Sequence, residues 1–204
     1  MKEYKLPIGC DVPETIILAD GDFPSHPLAL EWLRQCPYVV CCDGAANTYI
    51  RSGRMPEAIV GDGDSLLPDI KERYASLIHS EAEQETNDLS KAFRFCLSQE
   101  RKRITIMGAT GKREDHTIGN VSLLADYMEQ AEVSMMTDYG IFVPIREDSM
   151  FESYIGQQIS VFNMNSTALS AEGLAYPLSV FTNWWQGTLN EALARHFIIR
   201  TEGK

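Results

Sequence analysis

The sequence predicts a mainly parallel α/β domain followed by a small β-sandwich, and three observations carry that reading. From Thr15 to about Asp138, short apolar runs alternate with helical patterns, as in successive βα units. Four polar, glycine-rich or acidic clusters stand at the ends of such units. After about Gly140 the pattern changes to short segments of mixed polarity broken by Gly156, Gly173, Pro177 and Gly187. The 204 residues suffice for two unequal domains, placed at 1–139 and 140–204.

In chain order, the apolar runs Thr15 to Ala19, Tyr38 to Cys42, Ala58 to Val60, Arg103 to Met107 and Val133 to Met136 read as strands. Leu28 to Cys36 follows Pro27 with an amphipathic pattern, Ala45 to Ser52 stops at Gly53, and Asn87 to Ser98 sets Leu89, Ala92, Phe93 and Cys96 at helical spacing. Asp115 to Gln130 reads as the longest helix, and Gln158 to Phe162 as a strand of the second domain. Parallel sheets of this kind bind ligands outside the carboxyl ends of their strands, which directs attention to the residues just after each strand.

Eighteen Lys and Arg against 29 Asp and Glu give a net charge of −11, which disfavours nucleic acid and anionic membrane as partners. An anionic ligand would need local compensation from a divalent cation, a few basic side chains or helix N-termini. Cys10, Cys36, Cys41, Cys42 and Cys96 are odd in number and form no CxxC pair, so buried, reduced thiols are expected rather than disulfides or a zinc site. The N-terminus lacks an apolar leader and no stretch is long enough to span a membrane, so a cytoplasmic address is expected.

Asp43-Gly44-Ala45-Ala46-Asn47 comes after the second strand; Asp43 can cap the next helix or accept hydrogen bonds from a ligand. Gly61-Asp62-Gly63-Asp64-Ser65 comes after the third. Its carboxylates at i and i+2 face one side of an extended segment about 7 Å apart, which suits shared coordination of a hard cation. A solvated turn with Asp64 or Ser65 capping a helix from Leu66 fits the same residues. Glu85 to Lys91 opens a helix with Thr86 or Asn87 as N-cap; Asp88 and Lys91 either pair with each other or hold a cation and a phosphate side by side. Gly108-Ala109-Thr110-Gly111-Lys112-Arg113-Glu114-Asp115-His116, with Asn120 one turn later, has the composition of an anion cradle, without the spacing of a Walker A or dinucleotide fingerprint.

The order and spacing of these four clusters resemble the catalytic domain of the thiamine pyrophosphokinase (thiamine diphosphokinase) family. Gly173 to Leu178 and Gly187-Thr188-Leu189-Asn190-Glu191 are similar to that family's GLxYxL and GxSNE segments. The resemblance implies a Rossmann-like nucleotide- and Mg²⁺-binding domain with a thiamine-binding β-domain. It implies transfer of the diphosphoryl group of ATP to the hydroxyethyl oxygen of thiamine, with release of AMP. By resemblance, Asp62, Asp64 and Asp88 hold Mg²⁺, and Lys91 and Arg113 contact phosphate oxygens. Asp115 orders the loop or assists deprotonation of the hydroxyl. Asp43, Gly44, Gly108, Thr110, Gly111, Lys112, His116 and Asn120 shape the nucleotide pocket. Trp184 and Trp185 are candidates to stack on thiamine, beside Thr188 and Asn190, with one tryptophan expected in the sandwich core. A homodimer with its site at the subunit interface is implied in the same way. The chain departs from the family pattern at Gly63, Glu85, Asn87, Lys112 and Leu189. A non-catalytic nucleotide or thiamine-phosphate binding protein and a Mg²⁺-dependent phosphohydrolase are the competing functions.

Overall fold

A computed structural model describes residues 1–7, 11–81, 83 and 85–204. Strand β1 (Lys2–Tyr4) is followed by β2 (Thr15–Leu18), α1 (Pro27–Gln35), β3 (Val39–Cys42), α2 (Ala45–Arg51), β4 (Ala58–Val60), α3 (Pro68–Arg73) and β5 (Ile78–His79). The chain continues through α4 (Asp88–Ser98), β6 (Arg103–Met107), α5 (Glu114–Tyr127), β7 (Glu132–Met136) and β8 (Ile141–Phe142). Strands β9 (Ser149–Glu152), β10 (Gln158–Ile159), β11 (Leu169–Glu172), β12 (Asn190–Glu191) and β13 (His196–Thr201) complete it. Two compact units result: Gly9–Val143, and Met1–Ile8 together with Pro144–Lys204. The expected 1–139 block therefore loses its first residues, because β1 pairs in parallel with β9 of the second unit.

In the larger unit the strands lie in the order β5-β4-β3-β2-β6-β7-β8, parallel throughout except for β8, which runs antiparallel to β7. The chain starts at β2, steps outward to β5, then returns to β6 on the other side of β2, so the direction of winding switches between β2 and β6. Alternation along each strand builds two cores. Ile17, Val40, Val60, Ile106 and Met135 face α4 and α5, where Phe93 stacks on Tyr127 at 3.9 Å. Ile16, Leu18, Cys41, Ile59 and Met107 face α1, α2 and α3. A parallel sheet covered on both sides favours apolar residues along the whole strand, which explains the continuous runs IIL, VVCC and AIV.

The register sets the functional edge. Leu18 pairs with Cys41 and with Met107, and Cys42 pairs with Val60, so β2, β3, β4 and β6 release their loops at one level. Helix ends differ from expectation by a few residues, chiefly α5, which stops at Tyr127, and the helix expected from Leu66, which starts at Pro68. Cys41, Cys42 and Cys96 are buried free thiols and Cys36 is partly buried, whereas Cys10 lies outside the described residues. Burial pushes the Cys96 thiol up to about 12.

The smaller unit has a four-stranded sheet, β1-β9-β13-β11, and a two-stranded antiparallel ribbon, β10-β12. Leu178, Ala192, Phe197 and Ile199 form its apolar centre, and Tyr4, Phe151 and Phe197 stack in sequence. The strand expected over Gln158 to Phe162 is limited to Gln158–Ile159. Among the described residues, no helix is long and apolar enough to cross a membrane.

Candidate functional site

Asp43 leaves β3 with a φ of 31°, at the edge of the left-handed region, and its carboxylate turns inward. It is 3% exposed. Its Oδ2 accepts a hydrogen bond from the Ser65 amide at 3.1 Å, while Oδ1 is buried without a donor. Burial, the Asp64 carboxylate and the charges of Asp88 and Asp62 push the Asp43 carboxyl up to about 6, against the opposing effect of the Ser65 bond. The carboxylates of Asp43, Asp62 and Asp64 each bring an oxygen within 4.8 Å of the others. Asp88 joins them: a Cβ placed on Gly61 would lie 2.8 Å from Asp43 Cβ and 3.4 Å from Asp88 Cγ, so both acids flank that residue. Asp43 does not cap α2, and neither Asp64 nor Ser65 caps α3.

The acidic loop is braced from two helices. Asn47 of α2 donates from Nδ2 to the Ser65 carbonyl at 2.8 Å and accepts from the Leu67 amide at 3.0 Å. Lys71 of α3 donates from Nζ to the Gly63 carbonyl at 2.7 Å. Gly63 has a φ of 74°, and a Cβ there would meet the Lys71 ammonium at 3.3 Å, so the glycine and the lysine fit as a pair. Within the loop, the Asp64 amide donates to Asp62 Oδ1.

Asn87 caps α4, accepting from the Ser90 amide. This leaves Asp88 in the first turn, where the helix dipole favours a carboxylate. Lys91, buried to 3% exposure, reaches Asp88 Oδ1 at 3.1 Å. Asp88 and Lys91 thus pair with each other while standing beside the acid cluster.

Three successive carbonyls of the glycine loop are anchored. Gly108 accepts from Gly21 N at 2.6 Å, Ala109 from Asn120 Nδ2 at 2.8 Å, and Thr110 from Asp22 N at 2.9 Å. The Asp22 carboxylate lies directly over Gly111, φ 78°, where a Cβ would collide with it. Lys112 Nζ binds the carbonyl and the carboxylate of Asp20 at 2.8 and 3.1 Å. Arg113 and Asp115 are exposed and form a two-bond ion pair, which holds the Asp115 carboxyl down at about 2, with the His116 amide assisting. The two bonds from Arg113 fit the loop-ordering role among those the resemblance implies. His116 is exposed, whereas Asn120 is buried with its amide bonded on both sides.

Sequence reasoning passed over Asp20, Gly21 and Asp22, which come after β2 and contact the glycine loop at the switch point. A polar triplet after the first strand was the available signal. It also passed over the bracing roles of Asn47 and Lys71.

In the smaller unit, Trp184 and Trp185 occupy a short 3-10 turn fixed by a capping box between Asn183 and Gln186. They are 48% and 73% exposed, which corrects the expectation that one of them fills the core. That core is instead filled by aliphatic and phenyl groups from β13 and the Leu178 segment. Trp184 meets Phe162 edge-on at 6.2 Å. Thr188 is partly taken up by the Trp185 carbonyl at 2.7 Å. Asn190 is buried, and its amide bonds Tyr176 N, Tyr176 O and Glu191 N, so it splices two segments together and does not reach outward. Leu189 is exposed, with a φ of 61°.

A doubly wound sheet carries carboxylates, a glycine loop and a buried lysine at its carboxyl edge, beside the switch point where open α/β sheets commonly bind ligands. Residues 29–136 match the model of the thiamin pyrophosphokinase catalytic domain, and residues 140–204 that of the thiamin pyrophosphokinase substrate-binding domain. The chain belongs to the thiamin pyrophosphokinase family. It is 30% identical over 129 residues to thiamine pyrophosphokinase 1 of Oryza sativa, covering 51% of this chain and 49% of that protein. It is 34% identical over 86 residues to the thiamine pyrophosphokinase of Bacillus subtilis, covering 40% of each. The chain thus spans about half the length, or less, of the curated relatives it matches. The solved thiamin pyrophosphokinase from Candida albicans shares the fold, with a TM-score of 0.76 at 18% identity over 99% of this chain and 90% of that one. The yeast enzyme shares it with a TM-score of 0.78 at 16% identity, over 100% of this chain and 88% of its own.

Proposed function

We propose that the chain is a thiamine diphosphokinase, transferring the diphosphoryl group of ATP to the hydroxyethyl oxygen of thiamine. One observation carries the chemistry: carboxylates from separate strand ends gather beside a glycine loop and a buried lysine. In the reaction a bond forms between the thiamine oxygen and the β-phosphorus, the bridge to the α-phosphate breaks, AMP leaves, and the hydroxyl gives up its proton.

The donor set fits a hard divalent cation, since three carboxylate oxygens converge and one buried Asp43 oxygen lacks a donor. Asp62, Asp64 and Asp88 would hold Mg²⁺, with Asp43 added to the expected ligands. When bound, Mg²⁺ neutralises charge on the polyphosphate and stabilises the leaving AMP. The protein does the rest by positioning. Lys91, held beside the acids by Asp88, would contact phosphate oxygens, the loop from Gly108 to Gly111 offers backbone groups, and Lys112 and Arg113 supply positive charge at its rim. Asp115 fixes Arg113. Trp184 and Trp185 present aromatic faces suited to a cationic thiazolium, with Thr188 nearby. The same reading includes a β-sandwich thiamine-binding domain, a homodimer whose partner completes the thiamine site, and a cytoplasmic location.

Product analysis tests it. Incubation with ATP, Mg²⁺ and thiamine should yield AMP and thiamine diphosphate in equal amounts, with no AMP when thiamine is withheld. Free phosphate or pyrophosphate released without thiamine would identify a phosphohydrolase, and binding without turnover a non-catalytic protein.

A further inference from the structure

We propose that Asn87 and Asn120 are positioning residues that fix the acid-bearing start of α4 against the glycine loop, so that cation and polyphosphate bind as one ligand. The inference rests on the Mg²⁺-nucleotide reading above. Asn120, buried in the second turn of α5, donates from Nδ2 to the Ala109 carbonyl at 2.8 Å and accepts from Asn87 Nδ2 at 3.0 Å. Asn87 Oδ1 accepts from the Ser90 amide at 3.0 Å. The direction of this relay is set at both ends. A carbonyl can only accept and an amide N–H can only donate, so each side chain must present nitrogen toward the loop and oxygen toward the helix.

A helix N-cap requires only an acceptor oxygen, which serine or aspartate supplies about as well as asparagine and threonine somewhat less well. The amide nitrogen of Asn87 is therefore additional to capping, and its one described bond goes to Asn120. The two ends of the relay are the two halves of the site. Ser90 lies between Asp88 and Lys91 on α4, and Ala109 lies between the two other anchored carbonyls of the loop, those of Gly108 and Thr110. Without the relay each half keeps its own groups, and α4 stays joined to α5 by the Ser90–Tyr127 hydroxyl pair and the Phe93–Tyr127 stack, but the direct polar link from the α4 cap to the glycine loop is lost. The expected signature is a loss of coupling between cation and nucleotide, which binding linkage measures directly.

The experiment is calorimetric binding of a non-hydrolysable ATP analogue to the full chain, with and without Mg²⁺. In the unaltered chain Mg²⁺ should strengthen binding at least about tenfold. Asn87→Ser, which retains the cap but cannot span to Asn120, should leave Mg²⁺-free binding within about twofold and cut the Mg²⁺ enhancement about fivefold or more. Asn120→Ser should cut the Mg²⁺ enhancement by as much, and the double variant should reduce it little further, because both remove one connection. If the serine variant at 87 does not fold, Asn87→Thr tests the same loss. An unchanged enhancement in the variants, or an equal loss with and without Mg²⁺, overturns the proposal in favour of a purely structural role. An unaltered chain that binds the analogue without any Mg²⁺ effect overturns the underlying metal reading and this inference with it.

Discussion

The strand-end edge of the larger unit and the tryptophan turn of the smaller one stand in opposite states of completion. At the sheet edge nearly every functional group is already held: Asp43 by Ser65, the acidic loop by Asn47 and Lys71, and the glycine loop by three anchored carbonyls. In the smaller unit Trp185, Leu189 and Tyr176 are each more than 60% exposed. On the proposed reading, groups that meet a charged ligand in fixed geometry are preorganised by hydrogen bonds from their own chain, whereas an apolar surface that receives a ring is left uncovered until something packs on it. The first arrangement places its cost in repulsion among acids, the second in exposed aromatic area.

The largest expected break in this contrast is Asp62→Asn. It removes one carboxylate from the cluster while keeping shape, so turnover should fall by about a thousandfold or more with the melting temperature nearly unchanged. Activity retained within tenfold would remove Asp62 from the metal set. Within the smaller unit, Trp185→Ala should raise the KM for thiamine by about tenfold with little effect on stability, since the indole makes no core contact. Asn190→Ala should do the reverse. It leaves partly buried backbone groups of Tyr176 and Glu191 without their side-chain partner, costing about 1–3 kcal/mol in denaturant titrations, with KM changing only through lost folded protein.

Asp43 gives the pH test. Its carboxyl is pushed up to about 6 by burial, above the unfolded value of about 4. The native state therefore binds the proton more tightly. The stability associated with this proton is fully present below about pH 4 and is lost as pH rises through 6. In the metal-free protein, Asp43→Asn should stabilise by on the order of 1–2 kcal/mol at pH 7.5 and by almost nothing at pH 4, read by chemical denaturation. Equal stabilisation at both pH values would contradict the burial argument. The smallest effect is expected at the brace: Lys71→Met should lower activity several-fold and raise the Mg²⁺ requirement by freeing the Gly63 carbonyl, with an unchanged profile removing the brace from the account.

Much of the larger unit was legible because parallel strands buried on both faces leave continuous apolar runs, and the loop residues at their carboxyl ends are visibly polar. Asp62, Asp64, Asp88 and the glycine loop were read as candidates in this way. The contacts that escaped depended on strand order. Asp20 and Asp22 meet the glycine loop only because β2 and β6 are neighbours, a pairing between residues nearly 90 positions apart. The link from Asn120 to Asn87 likewise needs α4 and α5 on the same face of the sheet. Strands β5 and β8, two residues each, are too short to show a period, and β1 is recruited by a partner far along the chain. The expectation of one tryptophan in the core failed for a different reason: a large apolar side chain near short strands suggests a core, yet sequence alone does not show how much volume that core has left to fill.

The central claim, that acids from separate loops and the glycine loop grip one metal polyphosphate, is tested most directly by paramagnetic broadening. With one equivalent of Mn²⁺ and a non-hydrolysable ATP analogue, the amide signals of Gly61 to Ser65, Asp88 to Lys91 and Gly108 to Gly111 should disappear together, leaving those of Glu100 to Arg103, at the amino edge of the same sheet, sharp. Broadening confined to scattered exposed acids, with the glycine loop unaffected, would contradict the account.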